Sequence, residues 1–109
     1  MAKDRIYLHE LLKSVSGIEN VYFQPPESLK MRYPAIVYSR SRIQNKYADN
    51  VAYNQDNVYE VIVIDSYPDS EAVKKLSLLP FCRYDRNYKA NNLNHDVFTI
   101  YYYTHDLKH

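Results

Sequence analysis

The chain has one glycine, Gly17, in 109 residues. Glycine-rich phosphate loops and dinucleotide-binding turns need several glycines at fixed spacing, so both are excluded. There is also one cysteine, Cys82. A single thiol forms no internal disulfide and builds no structural zinc site alone. A reducing compartment is the natural expectation. Tryptophan is absent. No apolar run approaches the roughly 18 to 20 residues of a membrane helix, so no membrane partner is expected. Residues 1–5 are polar and no long apolar stretch follows, so a secretory leader is not expected. Strong net charge is missing too: the value is +1, which gives no general pull toward nucleic acid or anionic membranes.

What the chain has in excess is tyrosine, 13 residues beside three phenylalanines. Tyrosine suits strands, where a flat ring packs on a pleated surface. It also suits interfaces, because it has an apolar body and a wet tip. Apolar residues make up 46% and charged residues 25%, as in an ordinary globular domain, and the length fits one domain.

Residues 4–16 read as a helix, because Tyr7, Leu8, Leu11, Leu12 and Val15 recur at three- and four-residue spacing. Asp4 suits its N-cap, and Gly17 stands where a left-handed C′ residue is wanted, with Ile18 behind it. Short strands are expected at 19–24 and 34–42, with Pro25 and Pro26 forcing an extended connection after the first. Residues 43–56 are polar and turn-rich and read as a long loop. The clearest strand is 57–67, ended by Pro68. A second helix follows, capped by Asp69 or Ser70 and stopped by Pro80. Two last strands are expected at 81–89 and 95–104, with Asn91, Asn92 and Asn94 marking the turn. The order α-β-β-β-α-β-β predicts an α+β fold, a mostly antiparallel sheet of about five strands with both helices on one face.

Two strands carry apolar residues on both faces. In the last, Val97, Thr99, Tyr101 and Tyr103 alternate with Phe98, Ile100 and Tyr102. In the middle strand, Val58, Ile62 and Ile64 oppose Tyr59, Val61 and Val63. Two helices of about three turns each cover one face only. The second face is covered either by loops such as 25–33 or by another copy of the chain.

No constellation of catalytic residues stands out. His9–Glu10, His95–Asp96, His105–Asp106 and His109 lack the spacing of a metal site on one helix or strand. Cys82 reads as a small buried hydrophobe. The serines lack the flanking glycines of a nucleophile elbow, and Asp65 and Asp69 read better as turn and cap residues than as an acid–base pair. A weak enzyme reading would rest on His95 or Asp96. Two basic and aromatic groups are more suggestive. Arg40, Arg42, Lys46, Tyr47 and Tyr53 lie in or beside the polar segment; Arg83, Tyr84, Arg86, Tyr88 and Lys89 lie on the fourth strand. Cations interleaved with aromatics on a sheet are the means of binding single-stranded nucleic acid. Asp49, Asp56 and Asp85 among them weigh against that reading.

The stretches Val21-Tyr22-Phe23-Gln24-Pro25-Pro26 and Met31-Arg32-Tyr33-Pro34-Ala35-Ile36-Val37-Tyr38 resemble the front half of small tail terminator proteins of long-tailed bacteriophages. Tyr59-Glu60-Val61-Ile62-Val63-Ile64-Asp65 with Pro68-Asp69-Ser70 is similar as well. So are Leu79-Pro80-Phe81-Cys82-Arg83-Tyr84-Asp85-Arg86 and Asn92-Leu93-Asn94-His95-Asp96-Val97-Phe98. The resemblance covers roughly residues 4–103 and includes no catalytic motif. It implies an α+β fold and a virion protein without enzyme activity or cofactor. It further implies a homo-oligomeric ring, typically a hexamer, that caps the tail tube. Such a ring meets the tail tube protein on one side and a head-completion or connector protein on the other. Genomic DNA would at most pass through the lumen. On this likeness the 43–56 segment, with Arg40, Arg42, Lys46, Tyr47 and Tyr53, is the candidate tube- or lumen-facing loop. Tyr101, Tyr102 and Tyr103 are the candidate subunit interface.

Overall fold

The apolar stripe of the first segment forms α1, Ala2–Ser16, in a computed structural model that describes the backbone of residues 2–48 and 51–103 and the side chains of 5–41 and 58–101. The helix starts two residues before the expected N-cap, so Asp4 falls inside its first turn. Its end is as the sequence requires. Gly17 takes φ +76° and donates its N–H to the Lys13 carbonyl at 2.9 Å, closing the last turn. The Ser16 hydroxyl donates to the Leu12 carbonyl at 2.6 Å and accepts from the Ile18 N–H at 3.0 Å, which turns Ile18 into the core.

Five strands follow: β1 Asn20–Phe23, β2 Ala35–Ala48, β3 Val51–Asp65, β4 Cys82–Ala90 and β5 Leu93–Tyr103, with α2, Glu71–Ser77, between β3 and β4. The sheet order is β1-β2-β3-β5-β4. The β1–β2 pair is parallel and the other three pairs are antiparallel. The protein is therefore an α+β domain with the expected element order. Ser70 is the N-cap of α2, although its side chain makes no capping hydrogen bond. The β4–β5 turn is built on Asn91 and Asn92, at φ 53° and 62°. Two consecutive left-handed residues twist a two-residue hairpin the way its strands twist, and asparagine tolerates them. Asn94, expected in that turn, instead lies in β5 opposite Lys89.

The largest departure from the sequence reading is at 43–56. Residues 43–48 and 51–56 continue β2 and β3 as one long antiparallel ribbon, paired from Ala35↔Ile64 out to Ala48↔Val51, rather than forming a loop. Polar composition misled because it reads as a turn signal, whereas strand pairing is made by backbone groups that every residue type but proline carries in full. The β1 strand pairs with β2 only over Ala35–Tyr38, and β5 pairs with β3 only from Asp56 inward. Beyond that point the ribbon is two-stranded among the described residues.

Directly opposed residues share a face of a sheet. Ile36, Val63 and Val21 stand on one face with Tyr38, Val61 and Phe98. Leu8 and Leu12 from α1 and Ala72 and Leu76 from α2 join them in one buried cluster, so both helices pack on this face. Tyr38 is its centre. It is fully buried, with Phe23 at 5.0 Å and Tyr59 at 6.0 Å between ring centroids. Its hydroxyl lies 2.8 Å from His9 Nδ1. Burial holds the His9 pKa below its ordinary value; Glu10 pulls it up, while Lys13 and Arg5 push it further down.

Two predictions follow from this packing. A Cβ built on Gly17 meets nothing within 4 Å, so the cost of Gly17→Val is conformational alone. It should be about 1–2 kcal/mol, read as a lower melting temperature with unchanged circular dichroism. An unchanged melting temperature would contradict this. For His9, the fold favours the neutral ring, so the unfolded state binds the proton more readily. The associated stability is complete above the unfolded pKa of about 6.5 and is lost as pH falls below it. The wild type should therefore lose more melting temperature on acidification than His9→Gln. Equal losses would refute the coupling.

Candidate interaction surface on the helix-free face

Turned away from the helices are Val37 on β2, Val58, Glu60, Ile62 and Ile64 on β3, and His95, Val97, Thr99 and Tyr101 on β5. Arg83, Arg86 and Tyr88 of β4 stand on the same side, opposite Thr99, Val97 and His95. Both central strands thus carry apolar residues on two faces, as their sequences demand. No described helix covers the second face, yet Val58 and Val97 have 0% exposure and Val37 and Ile62 are half-buried. Longer neighbours stand beside the small ones: Tyr101 opposite Val58, and Arg86 opposite Val97. The 25–33 connection also reaches this side. The Arg32 N–H donates to the hydroxyl of Tyr22, which stands opposite Val37. The chain itself therefore shields part of the second face. The large aromatic side chain left exposed there is Tyr88.

The cations of β4 are arranged by their neighbours. Arg83 Nε donates to Asp85 Oδ1 at 3.0 Å, and its guanidinium lies 6.0 Å from the Tyr101 ring centroid. An irregularity between Tyr84 and Arg86 turns Asp85 toward this face, where it also accepts from the Thr99 hydroxyl. Burial alone would raise the Asp85 pKa, but the Thr99 and Arg83 hydrogen bonds and the positive charges of Arg83 and Arg86 outweigh it and hold the carboxyl below its usual range. Arg86 lies 5.8 Å from the Tyr88 ring, and Tyr88 stacks on His95 at 4.6 Å. Tyr84 points the other way. It meets Phe98 edge-on at 5.2 Å and donates to Asp96 Oδ1 at 2.8 Å, beside Asn87 Nδ2 at 3.0 Å. The basic and aromatic residues of β4 are therefore divided between two faces.

Of the candidate lumen-facing residues, Arg40 is exposed; its guanidinium lies 5.9 Å from the Tyr59 ring, and its N–H donates to Gln24 Oε1 at 3.1 Å. Arg42, Lys46, Tyr47 and Tyr53 belong to the ribbon, and their side chains lie outside the described residues. The register sets Lys46 opposite Asn54 and Tyr47 opposite Ala52, with Tyr53 unpaired at an irregularity. Tyr101 is half-buried on the helix-free face, and its hydroxyl accepts from Arg83 Nη1 at 3.4 Å. Tyr102 and Tyr103 continue β5, their side chains outside the described residues. His105, Asp106 and His109 lie outside the described residues altogether.

Residues considered for catalysis are held apart. His95 and Asp96 are neighbours in β5 and point to opposite faces, His95 against Tyr88 and Asp96 buried beneath Tyr84 and Asn87. The Asp96 contacts bring residues nine and twelve positions apart together across the bulged hairpin, and no sequence signal announces them. Asp65 accepts from the Tyr67 N–H, a turn role. Among the described residues no group of three or more His, Cys, Asp or Glu side chains could hold a metal ion. No described helix is long and apolar enough to cross a membrane. Pro80, Phe81, Cys82, Arg83 and Tyr101 line a cavity of about 410 Å³ at the start of β4. Cys82 stands opposite Ile100, on the helix side, and is half-buried. Burial, with the nearby Asp85 charge, pushes its thiol up to about 11.

No protein-family model matches this sequence, and no curated protein matches it either.

The thiol pKa yields a prediction. A rise from 9.0 to about 11 leaves a thiolate fraction roughly a hundredfold smaller near neutral pH. Cys82 should react slowly with a thiol reagent in the native protein and rapidly once denaturant is added. Equal rates would show an accessible, reactive thiol.

Proposed function

We propose that this protein is a structural subunit of a homo-oligomeric ring at a phage head–tail junction, a tail terminator, without catalysis or cofactor. The observation that carries the reading is the division of the sheet. One face is sealed by α1 and α2, whereas the other holds no helix and runs out into a two-stranded ribbon. A fold that spends both helices on one face and projects a bare ribbon is suited to assembly. The likeness of residues 4–103 to tail terminators supports the same reading and supplies the ring, typically a hexamer. The partners would be the tail tube protein and a head-completion or connector protein, with DNA passing through the lumen and the ring residing in the virion. In this reading the ribbon with Arg40, Arg42, Lys46, Tyr47 and Tyr53 faces the tube or lumen, and Tyr101, Tyr102 and Tyr103 contribute to the subunit interface.

A second reading, a module for single-stranded nucleic acid, is favoured by Arg83, Arg86, Tyr88 and Tyr101 sharing the helix-free face. Asp85, which holds Arg83, and Glu60 on the same face oppose it. Salt-sensitive binding of single-stranded DNA by a monomer would favour this reading over the ring.

Light scattering and electron microscopy test the ring directly, and a matched pair of variants tests its surface. Ile100 is fully buried under the helices, so Ile100→Glu should unfold the domain, at a cost of several kcal/mol. Tyr101→Glu stands on the other face with Arg83 beside it, so it should fold normally and assemble poorly. In a phage lacking the native protein it should leave overlong or headless tails. A wild type that stays monomeric, or a Tyr101→Glu variant that assembles as the wild type does, would overturn the reading.

A further inference from the structure

The outer edge of β2 is closed for only part of its length. β1 covers Ala35–Tyr38, and Gln24 covers the next position, its N–H donating to the Tyr38 carbonyl and its Oε1 accepting from the Arg40 N–H. From Ser41 to Ala48 the edge has no backbone partner among the described residues. The other edge of the ribbon, β3 before Asp56, also has no partner strand among the described residues. Four residues of β2, from Asn45 on, thus project about 13 Å as a two-stranded ribbon, a structure of marginal stability in water on its own.

A long bare edge with no proline in it is a template for another strand. The opposite edge of the sheet is different. β4 is interrupted at Asp85 and carries Arg83, Arg86 and Lys89, features that blunt edge pairing. We propose that the bare edge of β2 pairs with the same edge of a second copy, antiparallel and two-fold symmetric, centred on Asn45.

Backbone phase and charge select that register. Tyr38 and Arg40 turn their backbone groups outward. The irregularity at Ser41 shifts the alternation by one, so Ile43, Asn45 and Tyr47 turn theirs outward farther along. A two-fold axis at Asn45 joins these same positions: Asn45 with Asn45 of the second copy, and Ile43 with Tyr47 in both directions. It also sets Gln44 opposite Lys46 and Arg42 opposite Ala48, so no like charges meet. Centring on Gln44 would set Arg42 opposite Lys46, and centring on Lys46 would set that residue against itself. Like charges directly opposed disfavour both. The pairing does not rest on the ring reading, since a two-fold contact joins copies in pairs whether or not a ring closes.

Sedimentation velocity and oxidative cross-linking test it on the full chain. Opposed residues at such a centre have Cα atoms about 5.5 Å apart, within disulfide reach. Asn45→Cys in a Cys82→Ala background should give a covalent dimer on mild oxidation, and Ile43→Cys, whose partner is Tyr47, far less. Asn45→Pro removes an amide that no strand of its own chain uses, so it should keep the native circular dichroism and lose the association. Gln44→Lys should weaken association several-fold, by setting two like-charge pairs across the contact. A protein monomeric at all concentrations, or one that associates without the Asn45→Cys cross-link, overturns the proposal. Rings that persist in Asn45→Pro without that cross-link would overturn the arm pairing alone. Cross-linked dimers that never close into rings would support the pairing and overturn the ring.

Discussion

The constraint on which the rest depends is that β3 and β5 carry apolar side chains on both faces while the described residues form two helices. Strands of this kind belong in the middle of a sheet, and the order β1-β2-β3-β5-β4 puts them next to each other. The helices then have one face to serve. They meet it through a single cluster in which Tyr38, Tyr59 and Phe98 are the largest fully buried side chains. Aromatic rings suit that layer because their edges and faces interlock at 5 to 6 Å centroid distances, as Phe23, Tyr38 and Tyr59 do. The polar ends are handled less evenly. The Tyr38 hydroxyl meets His9, whereas that of Tyr59 is buried without a hydrogen-bond partner among the described residues.

The second face is protected by smaller means. Valine and isoleucine lie low on the pleat, and Arg86, Tyr101 and the chain before β2 stand beside them. What remains is a surface of mixed polarity, where Arg83, Asp85 and Thr99 form a connected polar group next to half-buried aliphatic side chains. A surface of this kind resembles the wet, weakly apolar interfaces between separately folded proteins more than a domain core cut open. Contacts made on it would be strengthened by area and repetition, as they are in rings.

The edges of the sheet are treated unequally, and this inequality bears on assembly. β4 is bulged and charged, β1 is four residues long, and the far half of β2 is bare. Exposed backbone is the part of a β protein that most readily finds another chain. The ribbon therefore offers backbone groups with which a further strand could pair.

Much of this was legible from the sequence for local reasons. The α1 stripe, the left-handed stop at Gly17, the proline and charge signals around α2 and the apolar alternation of β3 and β5 each act within a few residues. The resulting α+β order needed nothing more. The strand identity of 43–48 and 51–56 was hidden, because their polar residues show no apolar alternation and backbone pairing does not depend on side-chain type. The Asp96–Tyr84–Asn87 group was hidden because a one-residue irregularity at Asp85 decides which β4 side chains turn toward the helices. The sequence by itself determined that two faces of the sheet would need cover and that the helices would cover one. Only the tertiary structure decided how the other is shielded, and that one edge is left open. Register and edge exposure depend on pairings between distant segments, which no local pattern encodes.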